Sequence, residues 1–255
     1  MISFKQVNKK FGKVQALHQV TLDLASNKSY ALIGPNGSGK TTLIKCLLGL
    51  VLPTSGEIYF DGKSISNDWK YREKIGYMPQ IGRYPDNMRI GQVIDMMKSI
   101  RPDFLNTDEE LFESFGLLKI LDKRMHTLSG GTRQKVSAAL AFLFRAPVLI
   151  FDEPTAGLDP VATEILKEKI LVEKADGKLL IISSHIMSDL DELTTDLIYM
   201  HDGDVPYSDS IEELKNITGE VRLGKAIARW MGKLTIDNKQ LTTLPFVNCH
   251  LSTVN

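Results

Sequence analysis

The stretch that most restricts this chain is Gly34-Pro35-Asn36-Gly37-Ser38-Gly39-Lys40-Thr41-Thr42, set between an apolar run, Tyr30 to Ile33, and an apolar helical pattern, Leu43 to Leu50. It satisfies G-x-x-x-x-G-K-[ST] with a strand before it and a helix after it, the context in which this pattern cradles phosphates. The glycines allow backbone angles that turn successive N–H groups inward, and the helix N-terminus adds a favourable dipole. Lys40 is expected to reach β- and γ-phosphates, and the Thr41 hydroxyl to hold Mg²⁺. The alternative is a glycine-rich turn ahead of an ordinary helix.

Two later segments belong with that loop. Val148-Leu149-Ile150-Phe151 is a continuous apolar run of buried-strand type closed by Asp152 and Glu153. In parallel sheets ligands bind beyond the carboxyl ends of the strands, where both acids would lie. Asp152 suits a metal shell and Glu153 suits polarising a water for attack on a γ-phosphate; the competing reading is that both cap a helix. Leu179 to Ser183 is a second buried run, followed by Ser184-His185, so His185 emerges at the same sheet end, within reach of a γ-phosphate oxygen. His18, His126, His201 and His250 lack such a context. Leu128-Ser129-Gly130-Gly131-Thr132-Arg133-Gln134 opens a helix with Val136, Leu140, Leu143 and Phe144 on its apolar face. Ser129 suits an N-cap, but two glycines at a helix start cost stability, which a second anion site there would explain.

The remaining chain reads as follows. Ile2 to Val7, Val20 to Leu24 and Glu57 to Phe60 alternate as half-buried antiparallel strands, with a charged loop, Asn8 to Lys13, carrying the aromatic Phe11. Phe11 either stacks on a base or folds back onto the sheet. A strand-like run ends at Gln80, and Ile81 to Met125 then reads as an inserted helical subdomain, with Ile90, Val93, Ile94 and Met97 on one face and Leu111, Phe112, Phe115 and Leu118 on another. Gly157-Leu158-Asp159-Pro160 leads into a charged helix, Val161 to Lys174, and Asp196 to Met200 is read as the last strand. Val221 to Leu234 aligns Leu223, Ile227, Trp230 and Leu234 on one face: a terminal helix capping the domain, or a basic amphipathic helix lying on lipid or a partner.

Charge adds an exclusion. The 31 basic and 31 acidic residues cancel, so no global field steers the chain toward nucleic acid. Cys46 and Cys249 form neither a disulfide framework nor a metal-ligand spacing, and no apolar run approaches the about 20 residues of a membrane span.

In order along the chain, Gly34 to Thr42, Gln80, Leu128 to Gln134, Val148 to Glu153, Gly157 to Pro160 and His185 resemble the phosphate loop, glutamine loop, Leu-Ser-Gly-Gly signature, acidic strand, D-loop and switch histidine of the ATP-binding subunits of ABC transporters. The resemblance covers about the first 215 residues. It implies an α/β fold: a P-loop ATPase core with a mixed, mainly parallel sheet, an N-terminal antiparallel subdomain and a helical insert at 81–127, leaving 216–255 as an extension. It implies an ATPase using ATP and Mg²⁺, with Glu153, His185 and Gln80 catalytic and Thr41, Gln80 and Asp152 at the metal. The nucleotide would be held by Phe11, the loop Gly34, Pro35, Asn36, Gly37, Ser38, Gly39, Lys40, Thr41 and Thr42, and Asp159, and, in trans, by Ser129, Gly130 and Gly131 of another copy. The expected partners are a polytopic transmembrane subunit and a second ATPase copy, identical or not. The expected place is the cytoplasmic face of the membrane, with no nucleic acid bound. Lys135 departs from the family's frequent arginine and is expected to alter helix packing more than chemistry. The style is closest to exporter-type subunits, including the antibiotic-export and nitrous-oxide-reductase maturation groups; a soluble relative acting on ribosomes or DNA is the alternative.

Overall fold

The computed structural model describes residues 1–237 apart from Asp103 and Leu105, with side chains described to residue 232. Leu234 falls among side chains not described, and Cys249 and His250 lie outside the described residues.

The chain opens with β1 (Ile2–Phe11) and β2 (Val14–Leu24), a hairpin turning at Gly12-Lys13. The expected charged loop is therefore mostly strand. Alternation fails after Val7 because β1 shifts register between Phe4 and Val7 and again toward Lys10, with Gln6 and Gln19 at positive φ. Next come β3 (Ser29–Ile33) and α1 (Lys40–Leu47), then β4 (Ser55–Phe60), β5 (Lys63–Ser64) and β6 (Ile75–Met78). The insert contributes α2 (Ile90–Ile100), α3 (Glu110–Ser114) and short 3-10 turns. Ile90, Val93 and Ile94 are buried, as are Leu111 and Phe112. Leu118 is not: left-handed Gly116 ends the α3 phase, so Leu117 turns inward and Leu118 is exposed.

The chain continues through α4 (Gly130–Phe142), β7 (Val148–Asp152), α5 (Pro160–Ala175), β8 (Leu179–Ser183), α6 (Met187–Leu193) and β9 (Asp196–His201). It does not stop pairing there. Asp202-Gly203 is a hairpin turn, and β10 (Asp204–Ser210) runs back along β9 before α7 (Ile211–Thr218) and α8 (Leu223–Asp237). An exposed edge strand containing Pro206 shows little apolar alternation, which is why the pattern hides it.

β2-β1-β4-β5 form an antiparallel sheet, and β10-β9-β3-β8-β7-β6 form a second sheet, parallel except at β10. Strand periodicity divides the large sheet between two cores. Leu149, Phe151, Leu180 and Ile182 face the helices from α2 to α8, whereas Val148, Ile150, Leu179 and Ile181 face α1 and the small sheet. With both faces covered, these strands are apolar throughout. Leu223, Ala226 and Ile227 of α8 are buried against α6 and α7, and Trp230 packs edge-on to Tyr199 and Tyr207, so this helix caps the domain instead of offering its apolar face to lipid.

Candidate nucleotide site

Parallel strands pointing one way deliver their loops to one edge. β3 ends at Ile33 and feeds the loop to α1, β6 leads to Gln80, β7 ends in Asp152-Glu153, and β8 leads to His185. Residues 36–42, Gln80, Asp152, Glu153 and His185 line one cavity of about 210 Å³, joined by Val14 and Ala16 of β2. Gly34 and Pro35 lie in the same loop, and their carbonyls accept hydrogen bonds from Lys40 Nζ at 2.7 and 3.0 Å.

The loop's shape needs its glycines at two places. Gly39, at φ 107°, precedes α1 with the Ala16 carbonyl oxygen 2.6 Å from where a Cβ would sit; at Gly34 the Met200 carbonyl oxygen would be 2.1 Å from it. The β9–β10 turn thus backs the phosphate loop, and the Gly203 amide also donates to the Ser38 carbonyl at 3.0 Å. Sequence reasoning passed over this support because its turn residues carry no chemistry of their own.

Burial holds the Lys40 ammonium below its usual pKa, opposed by the nearby Glu153 and Asp152 carboxylates. Asp152 is buried and accepts from Ser183 Oγ at 2.5 Å; Ser183 sits opposite it in the β7–β8 register. Glu153 takes φ 55°, and its amide donates to the Ser183 carbonyl at 3.0 Å. Its carboxylate lies 3.1 Å from His185 Nε2 and also faces the His185 amide at 3.4 Å. Neither acid caps a helix. That duty belongs to Asp159, whose Oδ1 accepts the Ala162 amide of α5 at 2.9 Å.

The other expected site residues lie elsewhere. Ser129 caps α4 by accepting the Thr132 amide at 3.2 Å, and Gly130 and Gly131 follow it. These residues and Asp159 do not line the cavity. Phe11, at the tip of β1, is 47% exposed and belongs to neither core, and Lys9 Nζ stands 4.8 Å from its ring centroid. Lys135 is more than a packing residue: Nζ pairs with Asp159 Oδ2 at 2.6 Å, which with the Ala162 amide holds that carboxyl below its usual pKa.

Two features fit the cavity to a nucleotide phosphate chain with Mg²⁺. Ser38 Oγ is buried in the loop without a hydrogen-bond partner, and such orphaned atoms are rare unless a ligand answers them. Thr41, Gln80 and Asp152 offer hydroxyl, carboxamide and carboxylate oxygens, the hard donors that suit Mg²⁺ together with phosphate oxygens and water.

Comparison with known proteins agrees with this geometry. The ABC transporter family model matches residues 17–156. The lantibiotic transport ATP-binding protein SrtF of Streptococcus pyogenes is 32% identical over 224 residues, covering 85% of this chain and 96% of that protein. Among solved structures, an ATP-binding subunit of an ABC transporter superposes with TM-score 0.82 at 26% identity, over 89% of this chain and 98% of its own. The dimeric bacterial ABC transporter cassette MJ0796 gives TM-score 0.73 at 26% identity, over 82% and 98%. A loop that grips phosphates, an acidic strand end beside it and a family match spanning both make this chain a member of the ABC transporter family, as its ATP-binding and ATP-hydrolysing subunit.

Proposed function

We propose that the cavity at the parallel-sheet edge is half of a composite ATP site, completed by Ser129 to Gly131 of a second copy. The observation that carries this is the division of labour within one chain: residues 36–42, Gln80, Asp152, Glu153 and His185 share one cavity, while the capped N-terminus of α4 lies away from it with its amides free of that site. One chain holds both walls, so two copies in head-to-tail arrangement make two complete sites, which favours a homodimer; the MJ0796 cassette is described as dimeric.

Within each half, Lys40 leaves its loop carbonyls for the β- and γ-phosphates, and Thr41, Asp152 and Gln80 would hold Mg²⁺. Bound there, Mg²⁺ would supply neutralisation of charge on the phosphoryl oxygens. Glu153, fixed by Ser183 through its backbone, orients and accepts a proton from the attacking water, and His185 steadies that carboxylate and then the γ-phosphate. Phe11, exposed and paired in register with Val14 of the cavity lining, stacks on adenine, and Asp159 stands at the boundary with the other copy. The arm 81–127, joined to the cavity through Gln80, passes the change to a membrane partner, and residues 1–215 make up the ATP-binding domain, with 216–255 an extension in sequence.

No helix among the described residues is long and apolar enough to cross a membrane. A separate polytopic subunit would then do the spanning, with this chain peripheral on the face where ATP is supplied. The relative SrtF is named for lantibiotic transport, which supports a transport role. The test is Glu153→Gln, which keeps the side chain's shape and loses the base. ATP binding should persist and an ATP-bound dimer accumulate, while turnover falls by about 10²-fold or more. Undiminished hydrolysis would sink the role given to Glu153.

A further inference from the structure

The contact between Lys135 and the loop after β7 is not accounted for by helix packing. Lys135 lies in the second turn of α4, a helix whose body, including Val136, Ala138, Ala139 and Phe142, is buried in the core and makes a firm base. Its Nζ lies 2.6 Å from Asp159 Oδ2 and 6.0 Å from the centroid of the Phe115 ring in the helical insert. A second contact joins the same two segments. At Gly131 a Cβ would stand 2.8 Å from the Gly157 carbonyl oxygen, so the backbone of the α4 start rests directly on the backbone of the loop. From Asp159 back to Glu153 the chain is short and closed by two turns, Leu158 amide to Thr155 carbonyl and Ala156 amide to Glu153 carbonyl, each 3.2 Å.

We infer that Lys135 is a positioning residue for ATP hydrolysis: its ion pair with Asp159, together with the Gly131–Gly157 backbone contact, makes the α4 N-terminus and the Glu153–Asp159 loop one unit. The inference rests on the composite-site reading. It deepens that reading by linking the surface shown to one nucleotide with the carboxylate that serves the other, inside a single chain. A purely structural pair predicts otherwise. Asp159 has a half-exposed side chain, and pairs of that kind contribute little to stability. Losing the charge should therefore leave folding nearly intact while the carboxylate's placement suffers, and misplacement at this distance from the chemistry costs rate.

The experiment compares wild type, Lys135→Met, Lys135→Arg, Asp159→Asn and the Lys135→Met/Asp159→Asn pair in the full chain, with steady-state ATPase kinetics, ATP binding titrations and thermal melting. Asparagine preserves the cap on α5 and removes only the charge. Expected is a kcat reduced about 10- to 100-fold in Lys135→Met at unchanged ATP affinity, recovery of most of it in Lys135→Arg, and a double variant no slower than the slower single one. Wild-type kcat in Lys135→Met, an arginine variant as slow as the methionine one, or additive losses in the pair would each overturn the inference. Failure of the composite-site reading shows separately, as Glu153→Gln that binds ATP without forming a dimer.

Discussion

Lys40 shows how much one side chain depends on its setting. With its ammonium among loop carbonyls at 2.7 and 3.0 Å and two carboxylates nearby, it is partly desolvated yet hydrogen-bonded, ready to exchange carbonyls for phosphate oxygens. Lys40→Ala should weaken ATP binding by at least about tenfold, since a charge-assisted contact in a partly buried site is worth about 1.5–3 kcal/mol. A binding titration reads this directly, and equal affinity in the variant would remove Lys40 from the phosphate grip. Asp152 depends on its neighbours in the same way, because Ser183 fixes its orientation from the adjacent strand.

At the scale of elements, the helical insert is tied to the core by buried charge. Lys169 of α5 is 7% exposed and meets Asp108 at 2.8 Å, Glu110 at 2.7 Å and Glu173 at 3.3 Å, while Lys178 also reaches Glu173. Burial alone would lower the Lys169 pKa, but the hydrogen bonds it donates to Asp108 and Glu110, with the charges of Asp108 and Glu173, overcome it and raise the net value. A folded-state pKa raised above the unfolded value gives stability that is complete below the unfolded value of 10.5 and fades as pH climbs through the folded one. Asp108 works oppositely: burial raises its pKa, but the hydrogen bonds from Lys169 and the Glu110 amide, with the charges of Lys169 and Arg145, together lower it more, and the net depression gives stability that is present above the unfolded value of 3.8 and is lost as pH falls through the folded one. Lys169→Met strands these carboxylates and should cost about 3–5 kcal/mol, read as a lower urea midpoint. The loss should shrink toward acid pH as Asp108 protonates. A midpoint like wild type at neutral pH would show the network to be dispensable.

At the scale of the whole molecule, the chain's own α4 N-terminus does not line the site. Activity should therefore depend on concentration. Serial dilution is expected to lower ATPase rate per chain, with Glu153→Gln and saturating ATP shifting the sedimentation of the diluted protein toward a dimer. A specific activity constant across the dilution series would mean that one chain suffices. The α8 helix shows the same scale at work: its apolar side is spent on α6, α7 and two tyrosines, so it contributes core and not a lipid-binding surface.

How much of this was legible beforehand follows from what local chemistry can encode. The phosphate loop, the acidic strand end and the buried strands were readable because phosphate binding and two-sided burial each demand particular residues in consecutive order, as at Gly34 to Thr42 and Val148 to Asp152. β10 was not, because an edge strand gains its partners from β9 and needs little apolar pattern of its own. Nor was the inward turn of Leu117 in place of Leu118, set by the left-handed Gly116. Lys135 looked like a packing variation until the fold laid it against Asp159, and the turn at Gly203 after the last expected strand carries no sign of its contact with Ser38. Sequence alone thus determined the chemistry offered and the order of the elements that carry it. Tertiary structure alone decided which distant segments touch, since a hydrogen bond across 165 residues between Ser38 and Gly203 leaves no periodic trace in the chain.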